Sequence, residues 1–151
     1  MNKFKFWQVD SFTSTPFKGN PAAVFIHDHP IDDELMQNIA IEMNLSETAF
    51  IYLRKDQNPM LRWFTPMYEI DLCGHATLAA AQIYFSEIDK SANEVVFDTK
   101  FVGNLLVAKN QSTLTMNFPA RPGEEVGIDS IPTFVLESLS EKKPVYARKS
   151  R

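Results

Sequence analysis

Hydrophobic and polar positions alternate along most of this chain in short runs, so strands are the main prediction. Lys3-Phe4-Lys5-Phe6, continuing to Val9, alternates at period two and predicts an opening strand. Turn formers crowd the next ten residues, and Lys18-Gly19-Asn20-Pro21 predicts a sharp bend. Ala22 to Ile26 is wholly apolar and predicts a buried strand. The period then changes. Leu35, Met36, Ile39, Ala40 and Met43 share one helical face, with Asp32 or Asp33 as N-cap and Asn44 as a left-handed stop. Leu45 to Leu53 leads into a strand, Arg54 to Pro59 is a hairpin loop, and Met60 to Thr65 is the partner strand.

One segment is apolar on nearly every side. From Ala76 to Phe85 the only strongly polar residue is Gln82, and no charge lies between His75 and Phe85. A helix of that kind is buried, with the rest of the domain wrapped round it. Gly74 before it predicts a tight turn that a residue with a side chain would not adopt cheaply. Ser86 to Asn93 then reads as a polar connection. Glu94 to Asp98, Phe101 to Ala108 and Thr113 to Phe118 read as a meander, weakened in the middle by Gly103-Asn104. Pro119 to Gly123 ends the regular pattern, Pro132 to Ser140 reads as a short helix, and Lys142-Lys143 begins a polar tail.

Composition narrows the class. With 151 residues, the chain can bury one sizeable core. A net charge of −4 and a pI near 5.3 argue against nucleic acid as a partner. No apolar run is long enough to span a bilayer, and the N-terminus lacks a signal-peptide pattern, so no membrane association is expected. A single cysteine excludes an internal disulfide framework and points to the reducing cytoplasm.

The open end of the buried helix is the chemically interesting place. Its first N–H groups lack intrahelical partners and carry partial positive charge, which suits an anion. His75 lies in that first turn, where the dipole favours its neutral form; it is either a proton-handling group or a buried, satisfied histidine. Cys73 is either a small buried hydrophobe or a thiolate stabilised by the helix end. Glu47 shares a strand face with Leu45 and Ala49, so its carboxylate is half buried. It serves either as an acid–base group or as a cap at the ladder end. Asp71 could simply orient the turn. His27-Asp28-His29 has metal-like spacing but no further ligand nearby, and reads as a polar loop before Pro30.

Five stretches together carry a family resemblance: Val9-Asp10-Ser-Phe-Thr, Gly19-Asn-Pro-Ala-Ala-Val24, Met36 through Asn44-Leu-Ser-Glu-Thr-Ala-Phe50, Leu61-Arg-Trp-Phe-Thr-Pro66 and Asp71-Leu-Cys-Gly-His-Ala-Thr77. In order and spacing, across residues 4 to about 118, they resemble the N-terminal half of the PhzF phenazine biosynthesis protein family. The resemblance implies an α+β domain of the diaminopimelate epimerase-like fold, a curved and mostly antiparallel sheet wrapped around one central buried helix. It implies catalytic roles for Glu47 and His75 in moving a proton on a small, carboxylate-bearing substrate, with no metal and no organic cofactor. The phenazine-making member isomerises a dihydro-hydroxyanthranilate in this way. Asn20, Ser46, Cys73, Gly74 and Ala76 are expected around the substrate. Epimerases of the same fold use a cysteine before the corresponding glycine as one of two bases, and Cys73 stands there. The family carries two such domains with the site between them. Residues 1–120 are therefore expected to form the first domain, and 121–151 a linker or tail towards an absent second one. The expected partners are the substrate and either a second copy, as a homodimer, or the missing domain in trans. As a half-length chain the protein is expected to be inactive alone, and the competing expectation is a non-catalytic half-domain that binds a ligand or a protein.

Overall fold

The computed structural model describes residues 4–139 and 144–149. Lys3, Ser140, Lys142, Lys143, Ser150 and Arg151, which fall within the expected elements, lie outside the described residues. The chain divides into two units, residues 1–118 and 119–151.

Eight strands of the first unit form one sheet: β1 (Phe6–Ser11), β2 (Asn20–His27), β3 (Glu47–Tyr52), β4 (Met60–Phe64), β5 (Glu69–Ile70), β6 (Glu94–Thr99), β7 (Asn104–Asn110) and β8 (Thr113–Met116). Their spatial order is β1-β2-β3-β4-β6-β7-β8, with β5 also paired to β4. All neighbours are antiparallel except β2–β3 and β4–β6. The parallel β2–β3 pair is bridged by helix α1 (Asp33–Met43), and the parallel β4–β6 pair by helix α2 (Gly74–Ile83), as parallel neighbours require a crossover.

Both predicted ends of α1 are present. The Asp32 carboxylate accepts from the Leu35 N–H at 2.7 Å, and Asn44 sits at φ 50 with its own N–H bonded to the Ala40 carbonyl. On the sheet, period two sorts the side chains. Ala22, Val24, Ala49, Ile51, Leu61 and Trp63 face α2, joined by Val95, Phe97, Leu105 and Val107 from the later strands. Ala23, Phe25, Phe50 and Phe64 face the other way and pack on Met36 and Ala40 of α1. Strands from β2 to β7 thus contribute to a single core round α2, and the expected curled sheet with a central buried helix is what the chain forms.

Several boundaries differ from expectation. Asn20 and Pro21 already belong to β2, opposite Ser11 and Asp10, so the bend lies before them. The segment read as a polar connection after α2 begins as a π-helical turn, Tyr84–Ile88, in which Phe85 is buried and only Glu87 is exposed. Strand β7 begins at Asn104 rather than Phe101, because Gly103 takes φ +76 and its carbonyl closes a turn onto the Thr99 N–H. Strand β5 was not foreseen. In the second unit β9 (Glu124–Val126) pairs antiparallel with β10 (Ala147–Lys149), so the stretch expected to be a polar tail contains a strand; a 3-10 turn (Ile128–Ser130) and helix α3 (Thr133–Leu139) lie between them.

On the α1 side of the sheet Arg62 binds Glu69 through two hydrogen bonds, 2.6 and 2.8 Å, and Asp33 through a third of 2.7 Å. Burial pushes the Glu69 carboxyl up, but the Arg62 hydrogen bonds and Lys100 outweigh it and hold Glu69 below the usual range. The folded state therefore gains stability above the ordinary carboxylate pKa and loses it as acid titrates Glu69 through its lowered value. We expect Glu69→Gln to cost about 2 kcal/mol at neutral pH and to flatten the acid limb of a pH–stability curve. Urea titrations at several pH values check this, and an unchanged acid limb would show that the pair contributes nothing. In the core, Ala80 is 0% exposed and Ile83 is 6% exposed. Ala80→Glu or Ile83→Asp should abolish cooperative folding, since a buried unpaired charge costs about as much as the whole stability. Thermal melts report it, and a variant melting within a few degrees of wild type would contradict the buried-helix packing.

Candidate active site

Alternation determines where Glu47 points. It opens β3, three residues past the left-handed stop at Asn44, and lies opposite Ala22 of the parallel neighbour β2. Sharing a face with Ala49, it is directed towards α2 rather than α1.

The start of α2 supplies the other groups. Cys73 is its N-cap residue in extended conformation, and no side chain caps the helix there. Its carbonyl accepts from the Thr77 N–H at 3.2 Å and from the Thr77 hydroxyl at 2.5 Å. No acidic residue occupies the first turn, so the positive end of the helix is uncompensated from within. His75 projects from this turn. Its Nε2 lies 3.2 Å from Glu47 Oε2, and its Nδ1 lies 3.4 Å from Cys73 Sγ. The close approach of Glu47 to His75 is not aligned as a hydrogen bond, and both Glu47 Oε2 and His75 Nε2 are buried without a partner. Thus an oxygen, a sulfur and a nitrogen, each able to bind a metal or a proton, lie within 4.8 Å of one another.

The thiol is in its neutral form. Burial pushes the Cys73 pKa up, and the charge of Glu47 adds to the rise; the backbone N–H groups of Ala76 and His75 oppose both, and the value reaches about 11. The helix-end effect that would favour a thiolate is present but loses to burial.

Gly74 plays a different part from the one its type suggested. Its φ is not left-handed; instead a Cβ there would sit 3.1 Å from Phe118 Cε2 and 3.6 Å from Met116 Cε. The absent side chain lets an aromatic ring close over the helix start. Ala76 is fully buried in the same turn. Asn20 and Ser46 are exposed, at the same end of the sheet as Glu47 by the strand register, and form its rim. His27 packs flat on Tyr52 at 5.0 Å, with Nδ1 2.7 Å from the His29 carbonyl, so the His27-Asp28-His29 spacing belongs to a strand end and loop.

Ser11 was missed as a site residue. It ends β1, is buried, and its hydroxyl donates to the His75 carbonyl at 2.7 Å, tying β1 to the first turn of α2. Its only sequence signal was membership of the Val9-Asp10-Ser11 stretch. Ser11 also lines a cavity of about 500 Å³ with Asp10, Phe12, Leu78, Gln82 and Thr113. That cavity neighbours the Glu47–His75 pair through Ser11 but does not contain it.

A curled, mostly antiparallel sheet wrapped round one central helix is the diaminopimelate epimerase-like fold. The chain belongs, more narrowly, to the phenazine biosynthesis-like protein family PhzC-PhzF, whose model matches residues 9–147. An uncharacterized isomerase of Pseudomonas aeruginosa is 47% identical over 125 residues, which cover 83% of this chain and 47% of that protein. The crystal structure of an Enterococcus faecalis PhzF family protein superposes with a TM-score of 0.82 at 39% identity, over 96% of this chain and 54% of that one. A putative PhzC/PhzF protein from Clostridium difficile gives 0.81 at 43%, over 98% and 55%. The chain spans about half the length of the relatives it matches.

Proposed function

We propose that this chain is the Glu47- and His75-bearing lobe of an isomerase that moves a proton on a small, carboxylate-bearing metabolite without a cofactor. The observation that carries this reading is the buried pair Glu47 Oε2 and His75 Nε2, 3.2 Å apart and each without a hydrogen bond, at the start of α2. Unpartnered buried acceptors and donors cost free energy that a bound substrate would recover. The isomerase names of relatives such as the Pseudomonas aeruginosa protein support the reaction class.

In this reading the first-turn N–H groups of α2 hold the substrate carboxylate. Glu47, with 18% of its side chain exposed, remains reachable. Its carboxylate takes the proton from one substrate carbon, and the resulting carboxylic acid returns it to another, so no charge or electron is left over. His75 Nε2 hydrogen-bonds the substrate during the transfer. Ser11 holds the His75 backbone, and hence the ring, in place. Cys73, as a neutral thiol, packs beside the imidazole and is not the base.

Glu47 is the partly exposed member of this cluster, and exposed apolar residues follow the strand ends on its side of the sheet: Phe12, Phe17, Met67 and Tyr68. We propose that this rim docks against a second lobe or a second copy, and that the 151-residue chain alone turns over slowly, because proton transfer to carbon needs a site closed to water. Sedimentation velocity at several concentrations should show self-association, and a monomer at all concentrations would rule out the second copy as the occupant of the rim and leave the second lobe. For the chemistry, the chain can be joined to the C-terminal half of the Pseudomonas aeruginosa relative and assayed for deuterium wash-in over a panel of small carboxylates. We expect Glu47→Gln to keep fold and binding while losing about a hundredfold or more in turnover. A Gln variant with near-native wash-in would demote Glu47 to a structural cap.

A further inference from the structure

We infer that Cys73 is a positioning residue: its thiol donates to Nδ1 of His75 and so keeps the imidazole proton on Nε2, the edge that faces Glu47. The use made of that proton rests on the isomerase reading, whereas the position of the proton rests on the geometry of the ring and its neighbours.

The two edges of the ring meet different partners. Nδ1 lies 3.4 Å from Cys73 Sγ, and Nε2 lies 3.2 Å from Glu47 Oε2. A neutral imidazole carries one N–H and one bare nitrogen, and the hydrogen bond made at one nitrogen decides what the other carries. Two arrangements are open. Either an Nδ1–H donates to the sulfur, or the thiol donates to a bare Nδ1.

The sulfur decides between them. Burial and the Glu47 charge push the Cys73 pKa up to about 11, so at neutral pH the sulfur has a proton to donate. The backbone N–H groups of Ala76 and His75 already act on it as donors. A further donor at Nδ1 would crowd a weak acceptor and take the place where the S–H finds its own acceptor. It would also leave Nε2 bare, with two acceptors 3.2 Å apart, both buried and neither hydrogen-bonded. Donation from the thiol to Nδ1 removes both costs. It puts an N–H on Nε2, beside the carboxylate and with no hydrogen bond of its own.

The backbone holds both side chains at this spacing. Thr77 bonds the Cys73 carbonyl through its N–H at 3.2 Å and its hydroxyl at 2.5 Å. The Ser11 hydroxyl donates to the His75 carbonyl at 2.7 Å. In the proposed reaction, negative charge develops on the substrate as Glu47 takes a proton from carbon. A donor at Nε2 stabilises that charge, and a bare Nε2 would not. No bond to sulfur is made or broken, and the thiol keeps its proton throughout.

The test uses the 151-residue chain, which has three histidines and one cysteine. After sequential assignment, ring ¹⁵N spectra at neutral pH should show His75 with Nε2 protonated and Nδ1 bare and hydrogen-bonded. The infrared S–H band, which only Cys73 can give, should lie below the frequency of a free thiol. Cys73→Ser keeps a donor and should keep the hydrogen-bonded Nδ1 signal. Cys73→Ala should shift that signal towards an unbonded nitrogen. A proton on Nδ1, or an S–H band at the free-thiol frequency, overturns the inference even if no variant folds. So does an Nδ1 signal unchanged in Cys73→Ala. The deuterium wash-in assay bears on the isomerase reading separately, and its failure leaves the ring and thiol spectra to decide the position of the proton.

Discussion

The burial of α2 is the constraint on which the rest of the first unit depends. A helix can be surrounded on most of its sides only if its neighbours accept its backbone closely, and here Ala76, Ala79, Ala80 and Ala81 are buried and present almost no side-chain volume, while Gln82 alone is exposed. The strands supply that volume instead, through Trp63, Phe97, Ile51, Leu61 and Leu105. Those side chains converge on one axis from β3, β4, β6 and β7, which is why the sheet curls rather than staying open. Close packing then fixes the helix lengthwise. Its first turn cannot slide, and His75 has one place to be.

The same alternation that builds the core decides the chemistry. In β3, odd and even positions go to different cores: Ala49 and Ile51 to α2, Phe50 to α1. Glu47 falls in the α2 set. A slip of one residue in the β2–β3 register would put Thr48 beside His75 and turn the carboxylate outward. Register is protected by what lies on the opposite face. Phe25, Phe50 and Phe64 stack and cross at 5.3 and 5.6 Å under α1, and Arg62 ties β4 to β5 and to the first turn of that helix. The outer core thus secures the position of a residue that it never touches.

Much of this was legible in the sequence, for local reasons. The Asp32 cap and the Asn44 stop are short-range chemistry. The orientation of Glu47 follows from a period of two, and the burial of α2 from ten residues without a charge. Four features were not legible, two because they are short and locally disguised and two because they join segments distant in sequence. Strand β5 has only two residues and exists because β4 offers its Trp63 and Phe64 edge. The π-helical turn after α2 is set by where Phe85 finds a buried place, which the polar neighbours Ser86 and Glu87 disguised. The β9–β10 pairing joins segments about twenty residues apart with little apolar pattern. The Ser11 hydroxyl meets the His75 carbonyl across 64 residues of sequence. Gly74 was legible as special but for the wrong reason, since type alone does not separate a strained backbone from a crowded one.

At the open end of α2 several influences act on one small volume, and their signs decide its character. Unpaired N–H groups there favour negative charge. Burial of Cys73 disfavours it, and Glu47, already an acid beside the thiol, disfavours a second anion further. The sulfur therefore keeps its proton: burial and the neighbouring carboxylate act in the same direction, and the uncompensated helix end does not overcome them.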